Sequence, residues 1–286
     1  MGRRDSISDR LLEIAVAGGG LMFKFVVVSD LHFVPDGMLS HSIDTVERFR
    51  EAVIHINEFN RDAEFCIVAG DLADQGETAA YERLSLELEK LQIPFFLVVG
   101  NHDSHENFAG VFGDLTNSET GFMDRCIDVH GQRIIILDSV MVGEHAGWLG
   151  EAQLSWLKGR LDGAANMPVI VVLHHNITDL MVSNDEIRLR NNGPLLDVLS
   201  GHPDIRHVIS GHVHLTSSGT CSGIPFTTIS GCHYNIAPRR HDKEPRSPRF
   251  DGPGQYAVVW SGKDATVVLA EDFSHRQVHL PIELFR

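Results

Sequence analysis

"FKFVVVSDLH", residues Phe23–His32, carries the reading on which the fold turns. The run Phe23–Val28 is apolar apart from Lys24. It is too short to cross a membrane and long enough for a strand buried on both faces. It stops on Asp30 and His32. A carboxylate and an imidazole at the carboxyl end of a buried strand stand where α/β sheets assemble their sites.

The arrangement recurs along the chain. "FCIVAGD" is a second apolar run ending on Asp71, and Pro94 opens a third, "FFLVVGN", ending on Asn101 with His102 next. Between these runs, Ile43, Val46, Phe49, Val53 and Ile56 recur at helical spacing, as do Tyr81, Leu84, Leu88 and Leu91. "CIDVHGQRIIILD" predicts a hairpin turning at His130-Gly131, and Leu154, Leu157 and Leu161 mark a helix. "PVIVVLHHN" predicts a strand ending on His174, a helix is expected around Leu195–Leu199, and "HVISGHVH" predicts a strand ending on His212 and His214. The remaining stretches, "SGTCSGIPFTTISGCHYN", "QYAVVW" and "TVVLAEDF", read as antiparallel strands with turns. The fold class is therefore mixed α/β, with sheets packed between helices. No internal repeat is visible.

At 286 residues the chain can bury a full core. Hydrophobic content of 43% and charged content of 22% are those of an ordinary globular protein. A net charge of −15 argues against a general nucleic-acid binder, which would carry a basic face. It leaves phosphate-containing substrates open, because a bound metal inverts local electrostatics. Cys66, Cys126, Cys221 and Cys232 show no CxxC and no framework spacing, so they read as thiols in a reducing compartment, the cytoplasm. Residues 1–21 read as an N-terminal extension. Glu13 interrupts the apolar stretch that a signal peptide would need, and Met22 is an alternative start. Residues 22–286 read as one catalytic domain. Its Pro-, Arg- and Gly-rich stretch 237–254 is expected to be a solvated loop, with a basic flap near a phosphate site as the sharper alternative. The apolar C-terminal strands would suit a homo-oligomer without requiring one.

Each polar group taken alone has a plain structural reading: a cap, a turn or a core histidine. Five strand ends carrying only Asp, Asn and His form a joint signal. Gly70, Gly100 and Gly211 precede three of them, where a sharp turn close to a site is needed. Oxygen and imidazole donors without thiolate suit Mn, Fe, Co or Zn. Asp30, His32, Asp71, Asn101, His174, His212 and His214 are enough donors for two divalent ions if one carboxylate bridges, and Asp71 is the natural bridge.

"DLH", "GDLAD", "GNHD", "LHH" and "GHVH", in that order, resemble the calcineurin-like metallophosphoesterase superfamily from about Phe23 to about Ile236. "GWLGEAQLSWLKGRL" and "GPLLDVLSGHPDIRHVISGHVH" further resemble its class III cyclic-nucleotide phosphodiesterases and bacterial glycerophosphodiesterases. The resemblance implies a four-layer α-β-β-α sandwich with two mixed sheets. It implies one ion on Asp30, His32, Asp71 and His214, and a second on Asp71, Asn101, His174 and His212. It takes His174 over His175 as ligand, leaving His175 to line the pocket or pack. Asn176-Ile177 departs from the proline that relatives often carry after that pair, and Asp74 stands where purple acid phosphatases place a tyrosine. His102 is implied as the catalytic group facing substrate, with Asp74 orienting it. His233 and Tyr234 read as ordinary strand-end residues more than as pocket wall.

The implied function is hydrolysis of small phosphodiesters, cyclic nucleotides or glycerophosphodiesters, by a hydroxide bridging two ions. The alternatives are a phosphomonoesterase on the same site and a metal-binding scaffold without catalysis. A small-molecule phosphoester is the expected partner. Neither nucleic acid nor a membrane is expected.

Overall fold

The computed structural model describes residues 22–237 and 248–274. The proposed N-terminal extension and most of the proposed flap therefore lie outside the described residues. The first half is β1 (Phe23–Val28), α1 (Thr45–Phe59), β2 (Cys66–Ala69), α2 (Thr78–Leu88), β3 (Phe95–Val98) and α3 (His105–Phe112). Then come β4 (Arg125–Val129), β5 (Gln132–Leu137), α4 (Glu151–Asp162), β6 (Val169–Leu173), a 3₁₀ turn (Asp185–Ile187), α5 (Asn192–Ser200) and β7 (Ile205–Ser210). The chain continues through β8 (Ser217–Cys221), β9 (Ile224–Thr228), β10 (Asn235–Ile236), β11 (Arg249–Phe250), β12 (Gln255–Ser261) and β13 (Thr266–Asp272).

One sheet has the order β13-β12-β1-β2-β3, the other β4-β5-β6-β7-β9-β8, and β10 pairs with β11 in a small ribbon. β1, β2 and β3 run parallel, and so do β5, β6, β7 and β9. Three apolar layers hold the molecule together. Phe49, Val53, Ile56, Tyr81 and Leu84 pack the first helices on Val26, Val28 and Val68. Phe25, Ile67, Ile136, Ile170, Val172 and Ile209 fill the space between the sheets. Trp156, Leu157, Leu195 and Leu199 cover the outer face of Val171 and Val208. That is the four-layer α-β-β-α sandwich. It explains why β6 reads as an unbroken apolar run and β1 as one interrupted only by Lys24: their alternate side chains enter different layers, and both are dry.

One expectation needs correction, and one element was not anticipated. The third-quarter strands are not all antiparallel: β9 pairs in parallel with β7, while β8 is antiparallel to β9. And "GNHD" leads into a helix, α3, which apolar spacing did not reveal because only Phe108 and Phe112 of its eight residues are buried.

Ile170 is fully buried between the sheets, whereas Leu269 on β13 is about half exposed. Ile170→Ala should therefore cost about 2–5 kcal/mol of unfolding free energy, and Leu269→Ala within about 0.5 kcal/mol of nothing. Urea denaturation of both variants checks this; equal losses would contradict the layer assignment.

Candidate metal centre

The centre begins with backbone pairing that outlasts the strands. Beyond β1 and β2, the amide of Asp30 donates to the Gly70 carbonyl, and those of Leu31 and His32 donate to that of Asp71. This sets Asp30 and His32 beside Asp71. Asp103 ties in the third loop: its carboxylate accepts the amides of Gly100 (2.7 Å), Leu72 (3.0 Å) and Ala73 (2.9 Å) and the Tyr81 hydroxyl (3.0 Å). In the other sheet the Gly211 amide donates to the His174 carbonyl, and across the sandwich the His212 amide donates to the Asp30 carboxylate at 3.1 Å. Both sheets thus deliver their carboxyl ends to one place.

Close approach is bought with conformational strain. Asp30, His32, Asp71, His212 and His214 all have positive φ, between 48° and 71°, a region that costs non-glycine residues about 1–3 kcal/mol each. At Gly211 a Cβ would lie 1.9 Å from Ser29 Oγ, and at Gly100 it would lie 2.3 Å from Asp71 Oδ1. Only glycine fits at either position.

Each expected histidine ligand donates one ring N–H outward and turns the other nitrogen inward. His32 Nδ1 donates to Asp74 Oδ1 at 3.0 Å, His174 Nδ1 to the Ala69 carbonyl at 2.9 Å, and His214 Nδ1 to the Tyr234 carbonyl at 2.9 Å. His212 does the reverse, donating from Nε2 to the Ile187 carbonyl at 3.0 Å. Such outward bonds fix the tautomer and orientation of metal-binding imidazoles. The inward His174 Nε2 lies 3.3 Å from Asp71 Oδ1 and 3.2 Å from Asn101 Oδ1. The inward His214 Nε2 is 3.6 Å from Asp30 Oδ1, and His32 Nε2 is 3.6 Å from Asp71 Oδ2.

The electrostatics suit a cation. Burial pushes the Asp30 carboxyl up to about 6, against the pull of His174. Burial acts the same way on Asp71, yet His174 and His102 hold it well below the usual carboxylate range. Burial drives His212 down to about 3 and His214 well below the ordinary imidazole value, which leaves both neutral with a free lone pair. His32 Nε2 is buried with no hydrogen-bond partner. Donor atoms of Asp71, His174 and His212 lie within 4.8 Å of one another, and so do those of His32, Asp71 and His102 and those of His32, His214 and His233. Two of these three nests share Asp71, and their oxygen and imidazole donors suit divalent ions.

A sequence model of the calcineurin-like phosphoesterases matches residues 23–215. The chain belongs to that family. It is 35% identical to the "Probable cyclic nucleotide phosphodiesterase" of Rhodopseudomonas palustris, over 75% of this chain and 80% of that one. It is 32% identical to the cAMP/cGMP dual specificity phosphodiesterase of Mycobacterium tuberculosis (72% and 66% covered), and 28% identical to the glycerophosphodiester phosphodiesterase of Enterobacter lignolyticus (77% and 83%). The fold matches a dimetal phosphatase from Danio rerio at a TM-score of 0.66 and 16% identity, covering 89% of this chain and 97% of that one. As a family member this calcineurin-like chain is a phosphoester hydrolase.

All seven residues expected to hold metal come together, and His102 and Asp74 stand beside them. Asp74 meets His102 through its backbone carbonyl rather than its carboxylate. Its carboxylate is taken by His32 and by the Ser40 hydroxyl at 3.0 Å, and its backbone carbonyl accepts the His102 Nδ1 proton at 2.7 Å. His175 packs: its ring bonds Ser139 Oγ at 2.8 Å and donates to the His145 carbonyl at 3.2 Å. His233, read as an ordinary strand-end residue, stands 4.5 Å from the His32 ring, and Tyr234 stacks on His214 at 4.0 Å. Both follow β9, so its parallel pairing with β7 was the signal that would have placed them here. His145 was also missed. It reaches Asn101 at 3.4 Å from a loop with no strand-end pattern.

A second network braces the GNHD loop. His105 Nε2 donates to buried Asp138 Oδ2 at 2.7 Å, and Asp138 also accepts the Met123 amide at 3.2 Å and the Val140 amide at 3.1 Å. That hydrogen bond raises the His105 pKa above its usual value. A raised imidazole pKa contributes stability that is fully present below the unfolded value and is lost as pH rises through the folded one. The melting-temperature advantage of wild type over His105→Gln should therefore be largest near pH 6 and shrink towards pH 9. An advantage constant across that range would show that the pair's charge contributes nothing.

Proposed function

We propose that the centre hydrolyses small phosphodiesters, with 3′,5′-cyclic nucleotides as the first class and glycerophosphodiesters as the second. One observation carries the reading: two donor nests share Asp71, with His102 at their rim. The relatives named for cyclic-nucleotide and glycerophosphodiester hydrolysis support the substrate class. Asp30, His32, Asp71 and His214 would hold one ion, and Asp71, Asn101, His174 and His212 the other, from among Mn, Fe, Zn and Co. When bound, the pair supplies an acidified water and neutralises charge on the phosphoryl oxygens.

The remaining work belongs to the chain. The Asp71 carboxylate accepts the His102 amide at 2.9 Å, so it sets the position of His102 as well as its own. His102 Nδ1–H is committed to the Asp74 carbonyl, which leaves Nε2 free at the partly open side of the centre. From there a proton carried on Nε2 would hydrogen-bond the phosphoryl oxygens, where negative charge develops, and pass to the departing oxygen. Asp74 acts through its carbonyl on His102 and through its carboxylate on His32, a positioning role for both. The free cysteines suit a reducing compartment, in keeping with action on cytoplasmic diesters. A phosphomonoesterase on the same centre is the alternative.

His102→Ala should lower turnover about 10²–10⁴-fold while metal content, measured by elemental analysis, stays at two ions. Loss of metal instead would give His102 a ligand's role. Asp71→Ala should abolish two-ion occupancy. With Mn, bis-p-nitrophenyl phosphate and cyclic AMP should be cleaved in preference to p-nitrophenyl phosphate, and chelator should stop all three. Preference for the monoester would favour the alternative.

A further inference from the structure

The turn Ser40–Ile43 stands beside the metal centre, and its tip holds a conformation that its residues do not favour. The Ile43 amide donates to the Ser40 carbonyl at 2.8 Å, and the Ser40 amide to the Ile43 carbonyl at 3.1 Å. Between them His41 and Ser42 have φ of 48° and 66°. A two-residue turn with positive φ at both places is ordinarily filled by Asn-Gly, Asp-Gly or Gly-Gly. Glycine at position 41 would adopt it without strain. The His41 side chain is exposed and forms no hydrogen bond or ion pair among the described residues. Strain of this kind, with so little return to the fold, is characteristic of residues kept for function.

The centre itself holds the turn in place. The Ser40 hydroxyl donates to the Asp74 carboxylate at 3.0 Å, and the Ser40 carbonyl accepts the His233 Nε2 proton at 3.3 Å. Both partners stand against His32: Asp74 takes its Nδ1 proton, and the His233 ring lies 4.5 Å from its ring. The residue next to Ser40 is therefore carried to the rim. There the His41 ring meets that of Tyr234 edge-on at 5.1 Å and that of His233 at 5.6 Å. Burial and the Arg249 cation lower the His41 pKa, and Asp74, His32 and His102 are near enough to act on it as well.

Tyr234 links this rim to the metal ligands. Its ring stacks on His214 at 4.0 Å with the planes 7° apart, and the Arg249 guanidinium lies over it at 4.8 Å. Arg249 is exposed, like His41. An imidazole and a guanidinium, both flat and both open to solvent, thus flank one buried phenol ring beside the centre. Imidazole rings and guanidinium planes are the surfaces on which nucleobases stack. A glycerol group has no π-face to offer them.

We propose that His41 and Arg249 form a nucleobase subsite at the rim of the metal centre, selecting cyclic nucleotides over glycerophosphodiesters. The subsite rests on the diesterase function proposed above and gives it a substrate class. His41 supplies a flat face for the base, and Arg249 stacks beside it. Neither residue meets the phosphoryl group, so both act on affinity for the base alone.

The test is calorimetric titration of the full-length, Mn-loaded protein with 5′-AMP and with ribose 5-phosphate, the same ligand without its base. Wild type should bind AMP about tenfold more tightly or better. His41→Gly should remove most of that preference by weakening AMP alone, and Arg249→Ala should remove part of it. Both variants should keep two ions by elemental analysis. His41→Gly should melt no lower than wild type, because glycine suits the turn. Equal weakening of both ligands, a preference that survives in both variants, or a lower melting temperature for His41→Gly overturns the proposal. A wild type that binds both compounds without preference overturns the base subsite and leaves the diesterase reading standing. A wild type that holds fewer than two ions, or binds neither compound, overturns both.

Discussion

Everything at the centre leans on the Asp71 carboxylate. It sits fully inside the protein at the end of β2, within reach of His174 from one sheet and His32 from the other, and it accepts the amide of His102 as well. A second carboxylate, Asp30, is buried beside it. Burying two acids together is unfavourable unless positive charge is supplied from within or without. The imidazoles supply part of it: His174 is raised to about 9 by Asp71 although burial opposes this. His212 and His214 are pushed the other way and contribute lone pairs instead. Two buried acids among imidazoles, two of them held neutral, suit a pair of divalent ions.

Much of this was legible in the order of residues, for a physical reason. Strands buried on both faces must be apolar throughout, so the first polar residue after each run announces the strand's end. In a parallel arrangement those ends collect on one side. Asp30, Asp71, Asn101, His174 and His212 could therefore be picked out before any coordinates. What was not legible depends on pairing partners distant in the chain. The parallel register of β9 with β7 is achieved with β8 inserted between them in sequence, and no spacing rule encodes it; His233 and Tyr234 were misread with it. Asp74 was paired with His102 but through its carboxylate rather than its carbonyl, because sequence does not separate the job of a side chain from that of its own carbonyl. His145 lies on a loop whose course is set by tertiary contacts alone.

The positive-φ residues show where stability has been surrendered. Five of the ten non-glycine residues in that conformation among the described residues are the expected ligands. Apolar packing in three layers and the hydrogen bonds of Asp103 over-determine the loops that carry them, so the strain persists. At Gly211 the loop after β7 crosses Ser29 and Asp30 of the other sheet, and at Gly100 the loop after β3 crosses Asp71 of the neighbouring strand.

The outward bonds of the four histidines have a further consequence. Each ring is anchored by the protein's own carbonyls or by Asp74, so its aim does not depend on what it is aiming at. The socket is machined in advance. A cation that departs leaves these anchoring bonds standing, and another of similar size meets four rings already aimed. Exchange of ions is thereby uncoupled from folding, and the supply of metal around the protein, rather than the shape of the site, becomes the selector of which element resides there.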